Sequence, residues 1–385
     1  MKQFIATTIR DLPPSGIRRF FDIAATMNDV VSLGVGEPDF VTPKNICDKA
    51  ILSLEQGHTM YTGNSGLLEL REEIARYMTK FGLSYDPHTQ IVVSVGASED
   101  IDIAMRAIIN PGDEILIVEP CFVAYRACII MAGGVPVSIP TSAENDFCVT
   151  AADIEANLTP KTKAVVLGYP CNPTGAILPR RELEQIADVL RDRDVVVISD
   201  EVYAELTYGE APHVSIASLP GMAEKTIVIN GFSKAFAMTG WRLGFACGPV
   251  DLIAPMVKIH QYVLMCAPTI AQYAGIEALR NSQDSVIAMC REYDERRQFL
   301  LKELRAIGMD CFEARGAFYL FPSVKRFGMT SEDFCNRLLY EQKLAVVPGT
   351  AFGAPGEGHV RISYAYSMEN IEEALVRLKR FIDSL

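Results

Sequence analysis

The chain has 385 residues, with 36 basic and 48 acidic side chains and a formal net charge of −12. That balance excludes a phosphate-backbone partner, which needs a basic face. A 49% hydrophobic and 22% charged composition is that of a globular protein too long for one compact core, so two domains are expected. No apolar run reaches the length of a membrane span, and the N-terminus carries no long apolar signal segment. The ten cysteines contain no CxxC pair and several stand in apolar runs, such as Cys128 and Cys247, where a reduced thiol packs as a small hydrophobe. A cytoplasmic setting follows. The five histidines lie far apart, so no metal site is expected.

In chain order, Glu69 to Met78 reads as an amphipathic helix. Gln90 to Val95 reads as a strand. Gly96-Ala97-Ser98 follows it and opens a helix with apolar positions at Ile101, Ala104, Met105 and Ile108. Further strands are expected at Glu114–Val118, Val135–Ile139, Ala164–Leu167, Val195–Ser199 and Thr226–Ile229. Near-continuous apolar strands separated by helices imply an α/β fold with a mainly parallel central sheet covered on both faces. The last third differs: a long helix over Val286–Ile307, strands at Ala317–Phe321 and His359–Ser363, and a closing helix over Ile371–Leu385. This pattern implies a smaller α+β domain. The expected division is 1–40 as an arm returning to the small domain, 41–275 as the large domain and 276–385 as the small one.

The strand ends carry the chemistry, because ligands of open α/β sheets sit beyond the carboxyl ends of the strands. Gly96, Ala97 and Ser98 offer free N–H groups at a helix start, which suit a phosphate. Such turns are also common without a ligand. Glu119-Pro120-Cys121-Phe122 ends a strand and leaves Phe122 free to stack on a flat ring. Asn172-Pro-Thr-Gly175 is a turn after another strand. Asp200 follows Val-Val-Val-Ile-Ser, where a buried carboxylate needs a cationic partner or a role as a helix cap. A protonated pyridine nitrogen would be such a partner. Tyr203, three residues on, can reach a ring oxygen or serve as a core aromatic. Between Asn230 and Gly244, Lys234 stands among small and apolar residues with Arg242 eight positions later. Desolvation favours the neutral amine that condenses with carbonyls, and a nearby guanidinium holds an anion. Arg361 lies inside a strand pattern, either facing solvent or gripping a carboxylate bidentately.

These segments in this order resemble the fold type I, pyridoxal-phosphate (PLP)-dependent aminotransferases of class I. The resemblance covers nearly the whole chain, from Ser32-Leu-Gly-Val-Gly36-Glu-Pro-Asp-Phe40 through Tyr61-Thr-Gly-Asn-Ser-Gly and Gly316-Ala-Phe-Tyr319 to Val347-Pro-Gly-Thr-Ala-Phe-Gly353. It implies that Lys234 forms the Schiff base with PLP and shuttles a proton. Asp200 would pair with the ring nitrogen, Tyr203 and Asn172 would bond the ring oxygen, and Phe122 would stack on the ring. Gly96, Ala97, Ser98 and Arg242 would hold the phosphate, with Tyr61 from a second subunit, which implies a homodimer. Arg361, Asn172 and the Gly36 backbone would hold the substrate carboxylate. Two positions depart from relatives: Gly231 replaces a serine that binds phosphate, a loss for which Ser233 compensates, and Ser98 replaces a lysine carried by certain aspartate-preferring relatives.

Ser15 to Ala25, Pro120 to Tyr125 and Gly221 to Phe245 look most like the aromatic aminotransferases. A pocket edged by Ile17, Phe122 and Tyr125 favours large apolar side chains, whose burial is worth about 1.5–3 kcal/mol. Acceptance of 2-oxoglutarate asks the pocket to tolerate an acid, which Arg18 or Arg19 could reach, although surface solvation is the expected role of both. The expected reaction is transfer of an amino group from an aromatic or similar L-amino acid to 2-oxoglutarate by a ping-pong route. The alternatives are a broad or aspartate-type aminotransferase and a PLP-dependent β-lyase.

Overall fold

Strands rich in Ile and Val form the centre of the structure. The computed structural model describes residues 4–13, 27–209 and 212–385. After a two-residue strand β1 (Val31–Ser32), seven strands form one sheet: β2 (Ile91–Ser94), β3 (Glu114–Glu119), β4 (Val135–Pro140), β5 (Thr162–Gly168), β6 (Val196–Asp200), β7 (Thr226–Gly231) and β8 (Gly244–Cys247). Their order across the sheet is β2-β8-β7-β6-β5-β3-β4. The run from β4 to β7 is parallel throughout, while β8 lies antiparallel between β7 and β2.

Side-chain alternation splits β3, β5 and β6 between two apolar clusters. Ile115 and Ile117 of β3, Ala164 and Val166 of β5, and Ile198 of β6 face a cluster with Ile101, Ala104, Met105 and Ile108 of the helix Ala97–Ile108. Leu116, Val118, Val165, Leu167 and Val197 face the opposite cluster with Leu183, Ile186, Ala187 and Leu190 of the helix Arg180–Leu190. Burial on both faces explains why these strands read as unbroken apolar runs.

The remaining strands are short. β9 (Tyr319–Leu320), β10 (Leu344–Ala345), β11 (Val347–Pro348) and β12 (Val360–Ser363) follow the 24-residue helix Gln283–Ala306. β12 is the central strand of an antiparallel trio ordered β11-β12-β9. β1 pairs in parallel with β10. The closing helix Met368–Asp383 buries Ile371, Ala374, Leu378 and Phe381 in a cluster that also takes in Leu33, Tyr203 and Tyr319.

Several details differ from the sequence reading, among them the short strands β1, β10 and β11 and the start of the closing helix at Met368 rather than Ile371. β8 was not expected. The strand expected over Ala317–Phe321 shrinks to Tyr319–Leu320, because Ala317 sits at φ 57, outside the extended region. The long helix begins at Gln283 rather than Val286. Among the described residues, no helix is long and apolar enough to cross a membrane.

Candidate active site

At the carboxyl ends of the parallel strands a cavity of about 380 Å³ opens. β5 ends at Gly168, β6 at Asp200 and β7 at Gly231, three residues before Lys234. Eleven of the residues singled out from the sequence line this cavity: Gly36, Ala97, Ser98, Phe122, Asn172, Asp200, Tyr203, Ser233, Lys234, Arg242 and Arg361.

The Lys234 amine donates to the Gly36 carbonyl at 2.7 Å and stands over the rings of Tyr203 and Phe318. Burial lowers its pKa to about 8, and the cations of Arg361 and Arg242 push the same way against Glu37 and Asp200. Near neutrality a useful fraction is therefore the free amine, a nucleophile toward aldehydes.

Asp200 is 6% exposed. Its Oδ2 accepts from the Tyr125 hydroxyl at 2.6 Å and its Oδ1 from the Val202 N–H at 3.3 Å. Burial pushes its pKa up, while those two donors pull it down. The partners are a phenol and a peptide, both neutral, so the acid lacks the positive charge that a buried carboxylate favours. A heteroaromatic cation would supply it.

A cradle for an anion lies where Gly96 caps the helix Ala97–Ile108 at φ 90. Gly96 itself is outside the cavity lining, but a Cβ there would lie 2.7 Å from Arg242 Nη2, so its lack of a side chain lets the guanidinium close over the helix start. Arg242 donates to the Thr239 and Val95 carbonyls at 3.0 and 3.3 Å. Gly244 approaches even more tightly: a Cβ would meet the Ala97 nitrogen at 2.6 Å. Gly231 packs against Gly244, where an added Cβ would come within 3.2 Å of its Cα. A buried acid, a weakly basic amine and an N–H cradle under an arginine together fit PLP.

Arg361, 3% exposed, is held from two sides. It donates to Asn172 Oδ1 at 2.8 Å and to the Gly34 carbonyl at 2.5 Å, between the rings of Tyr319 and Phe352. It does not face solvent, because the rings of Tyr319 and Phe352 cover its guanidinium. Its Nε is buried without a partner. A guanidinium in this state can still accept a carboxylate.

Sequence reasoning gave Tyr319 no role of its own and gave Tyr125 a different one. Tyr319 bonds the Tyr203 hydroxyl at 2.8 Å, and its own hydroxyl fills the space that a Cβ at Gly36 would need. Tyr125 was expected to edge a side-chain pocket; it lines the cavity, and its hydroxyl is spent on Asp200. Its spacing of three from Phe122 was the available signal. Tyr61 lies apart from the cavity and is 78% exposed. Ile17, Arg18 and Arg19 are outside the described residues.

The family model for aminotransferase class I and II matches residues 28–378. The Bacillus subtilis (strain 168) protein YugH, named as a candidate aminotransferase, is 55% identical over 383 residues, covering 99% of both chains. An aspartate aminotransferase of Pyrococcus abyssi is 48% identical, covering 96% of each chain. The crystal structure of an aromatic aminotransferase from Pyrococcus horikoshii superimposes with a TM-score of 0.91 at 46% identity, over 95% of this chain and 99% of that one. With this site and this likeness, the chain belongs to the class I and II aminotransferases, PLP-dependent transferases of fold type I.

Proposed function

We propose that this aminotransferase takes the amino group of an aromatic or similarly large L-amino acid and passes it to 2-oxoglutarate in two half-reactions. The observation that carries the donor assignment is the aromatic lining of the cavity, where the rings of Phe122, Tyr125 and Tyr319 favour an aromatic side chain. The three cations of the described lining, Lys234, Arg242 and Arg361, each have work in binding PLP or the substrate α-carboxylate, so that lining does not select an acidic donor over an aromatic one. The names of the relatives point both ways, to aspartate and to aromatic donors.

Bound PLP supplies a ring that draws electrons from the substrate Cα when its nitrogen is protonated. With PLP bound, Asp200 would hold that nitrogen's charge and Phe122 would pack on the ring. Tyr203 and Asn172 would bond the ring oxygen, and Gly96, Ala97, Ser98, Ser233 and Arg242 would hold the phosphate. Arg361, braced by Asn172, would orient the substrate carboxylate with the Gly36 backbone. The Lys234 amine would carry the proton from Cα as a weak base, in a site walled by aromatic rings that limit exchange with water.

The same reading makes the enzyme a cytoplasmic homodimer in which Tyr61 reaches the partner's phosphate site. Its support is an exposed apolar surface at Met60, Tyr61, Tyr262 and Val263. The flanking loops are stitched together by Asn64 to the Met265 carbonyl and Thr269 to the Met60 carbonyl. Large apolar side chains exposed together in this way are a mark of interfaces. The domain division at residues 40 and 275 belongs to the same proposal, supported by an apolar cluster that draws mostly on Met289 onward together with Leu33.

A half-reaction tests the proposal. PLP-loaded enzyme mixed with L-tyrosine and no acceptor should release about one equivalent of the matching 2-oxo acid per subunit and stop. Added 2-oxoglutarate should then yield an equal amount of glutamate. Release that needs both substrates at once would refute the two-step scheme.

A further inference from the structure

The face of β6 that carries Val196 and Ile198 ends in Asp200, by the two-residue period of a strand. The apolar cluster beneath that face includes Tyr125, which is 4% exposed. The helix Ala124–Met131 begins just before Tyr125 and aims its phenol at the carboxylate, 2.6 Å from Oδ2. Room for the phenol is made by the neighbouring strand. Gly168 is the register partner of Asp200 across β5 and β6. A Cβ at Gly168 would fall 2.5 Å from the Tyr125 hydroxyl oxygen. The phenol ring also stands edge-on to Phe122, with centroids 5.7 Å apart at 85°. One side chain thus touches both the acid and the stacking ring.

We propose that Tyr125 is a positioning residue that holds Asp200 as the weaker base of the carboxylate–ring nitrogen pair, so that the shared proton stays on the cofactor's ring. This rests on the role given to Asp200 above. The physical argument is a competition for one proton. Burial drives Asp200 toward its neutral acid, and the adjacent carboxylate of Glu201 acts in the same direction. Glu201 is itself fully buried and satisfied by Ser199, Ser215 and His213, so it keeps to its own network. Against burial stand the Tyr125 donor, the weaker Val202 N–H and the Lys234 amine. The phenol is the foremost of these and the amine the least, which makes the phenol the main protein group favouring the anion. Without it the proton moves from the ring nitrogen to Asp200. The ring then loses its positive charge and withdraws electrons from Cα less strongly. No covalent bond changes, and the proton count of the pair stays at one.

The test uses holoenzyme loaded with PLP carrying ¹⁵N at the ring nitrogen. In the wild type the nitrogen resonance should have the position of a protonated pyridine. In Tyr125→Phe it should move toward neutral pyridine, with kcat for L-tyrosine falling about 10- to 100-fold and KM changing about twofold or less. Gly168→Ala, which displaces the phenol without removing it, should shift the resonance in the same direction and serves if Tyr125→Phe fails to fold. A protonated nitrogen in the wild type and in both variants, with kcat retained, overturns the role of Tyr125 alone. A neutral nitrogen in the wild type overturns the Asp200 assignment itself.

Discussion

Lys234 shows how one side chain's surroundings set its chemistry. Its amine is pulled down from 10.5 to about 8 first by burial, then by Arg361 and Arg242. The reactive form is the deprotonated one, so reactivity rises with pH and saturates above the folded pKa. Apoenzyme mixed with PLP should therefore capture it at a rate that climbs about tenfold per unit below pH 8 and levels off above it. Stopped-flow absorbance across pH 6 to 10.5 reads this directly. A midpoint near 10.5 would mean that the amine is solvated. The apolar neighbours of Lys234 were visible in the sequence, whereas the Arg361 contribution needed the fold, since β12 lies more than a hundred residues away. For the same reason Asp200 was legible as a buried acid at a strand end, but its phenolic partner was not. Tyr125 sits on a helix after β3, and only the sheet order brings β5 and β6 beneath it.

Elements show the limits of local pattern more sharply. The parallel strands were legible because burial on both faces forces continuous Ile and Val runs. β8, Gly-Phe-Ala-Cys, was not, because it is four residues long and opens on a glycine. That glycine is the reason the strand works. Gly244 lets β8 press against the start of the helix Ala97–Ile108, at a separation no Cβ tolerates. Gly244→Ala should force the strand and the cradle apart and weaken PLP binding about 10- to 100-fold, the scale of an overpacked site. Gly240→Ala, in the same segment but with open space around it, should bind PLP as the wild type does. Equilibrium titration with PLP separates the two. Equal affinities would show that the cradle does not depend on this contact. The contraction of the strand expected at Ala317–Phe321 has a similar local origin, a left-handed backbone at Ala317 that no propensity marks.

At the scale of the molecule, the site is an assembly of distant pieces. Gly36 comes from the amino-terminal segment, Asp200 from the end of β6, Lys234 from the turn after β7, and Arg361 from the trio of short strands. The order of these segments was readable in the sequence, and so was the family resemblance. The commitment of each cation was not, because it depends on which side chains share one cavity. That commitment bears on the donor assignment: no cation of the described lining is reserved for a side-chain carboxylate, while aromatic rings line the same cavity. The decisive measurement is kcat/KM for L-tyrosine, L-phenylalanine and L-aspartate with 2-oxoglutarate held saturating and glutamate as the readout. The account predicts that both aromatic donors exceed aspartate by about tenfold or more. Aspartate equal to or above them would contradict it.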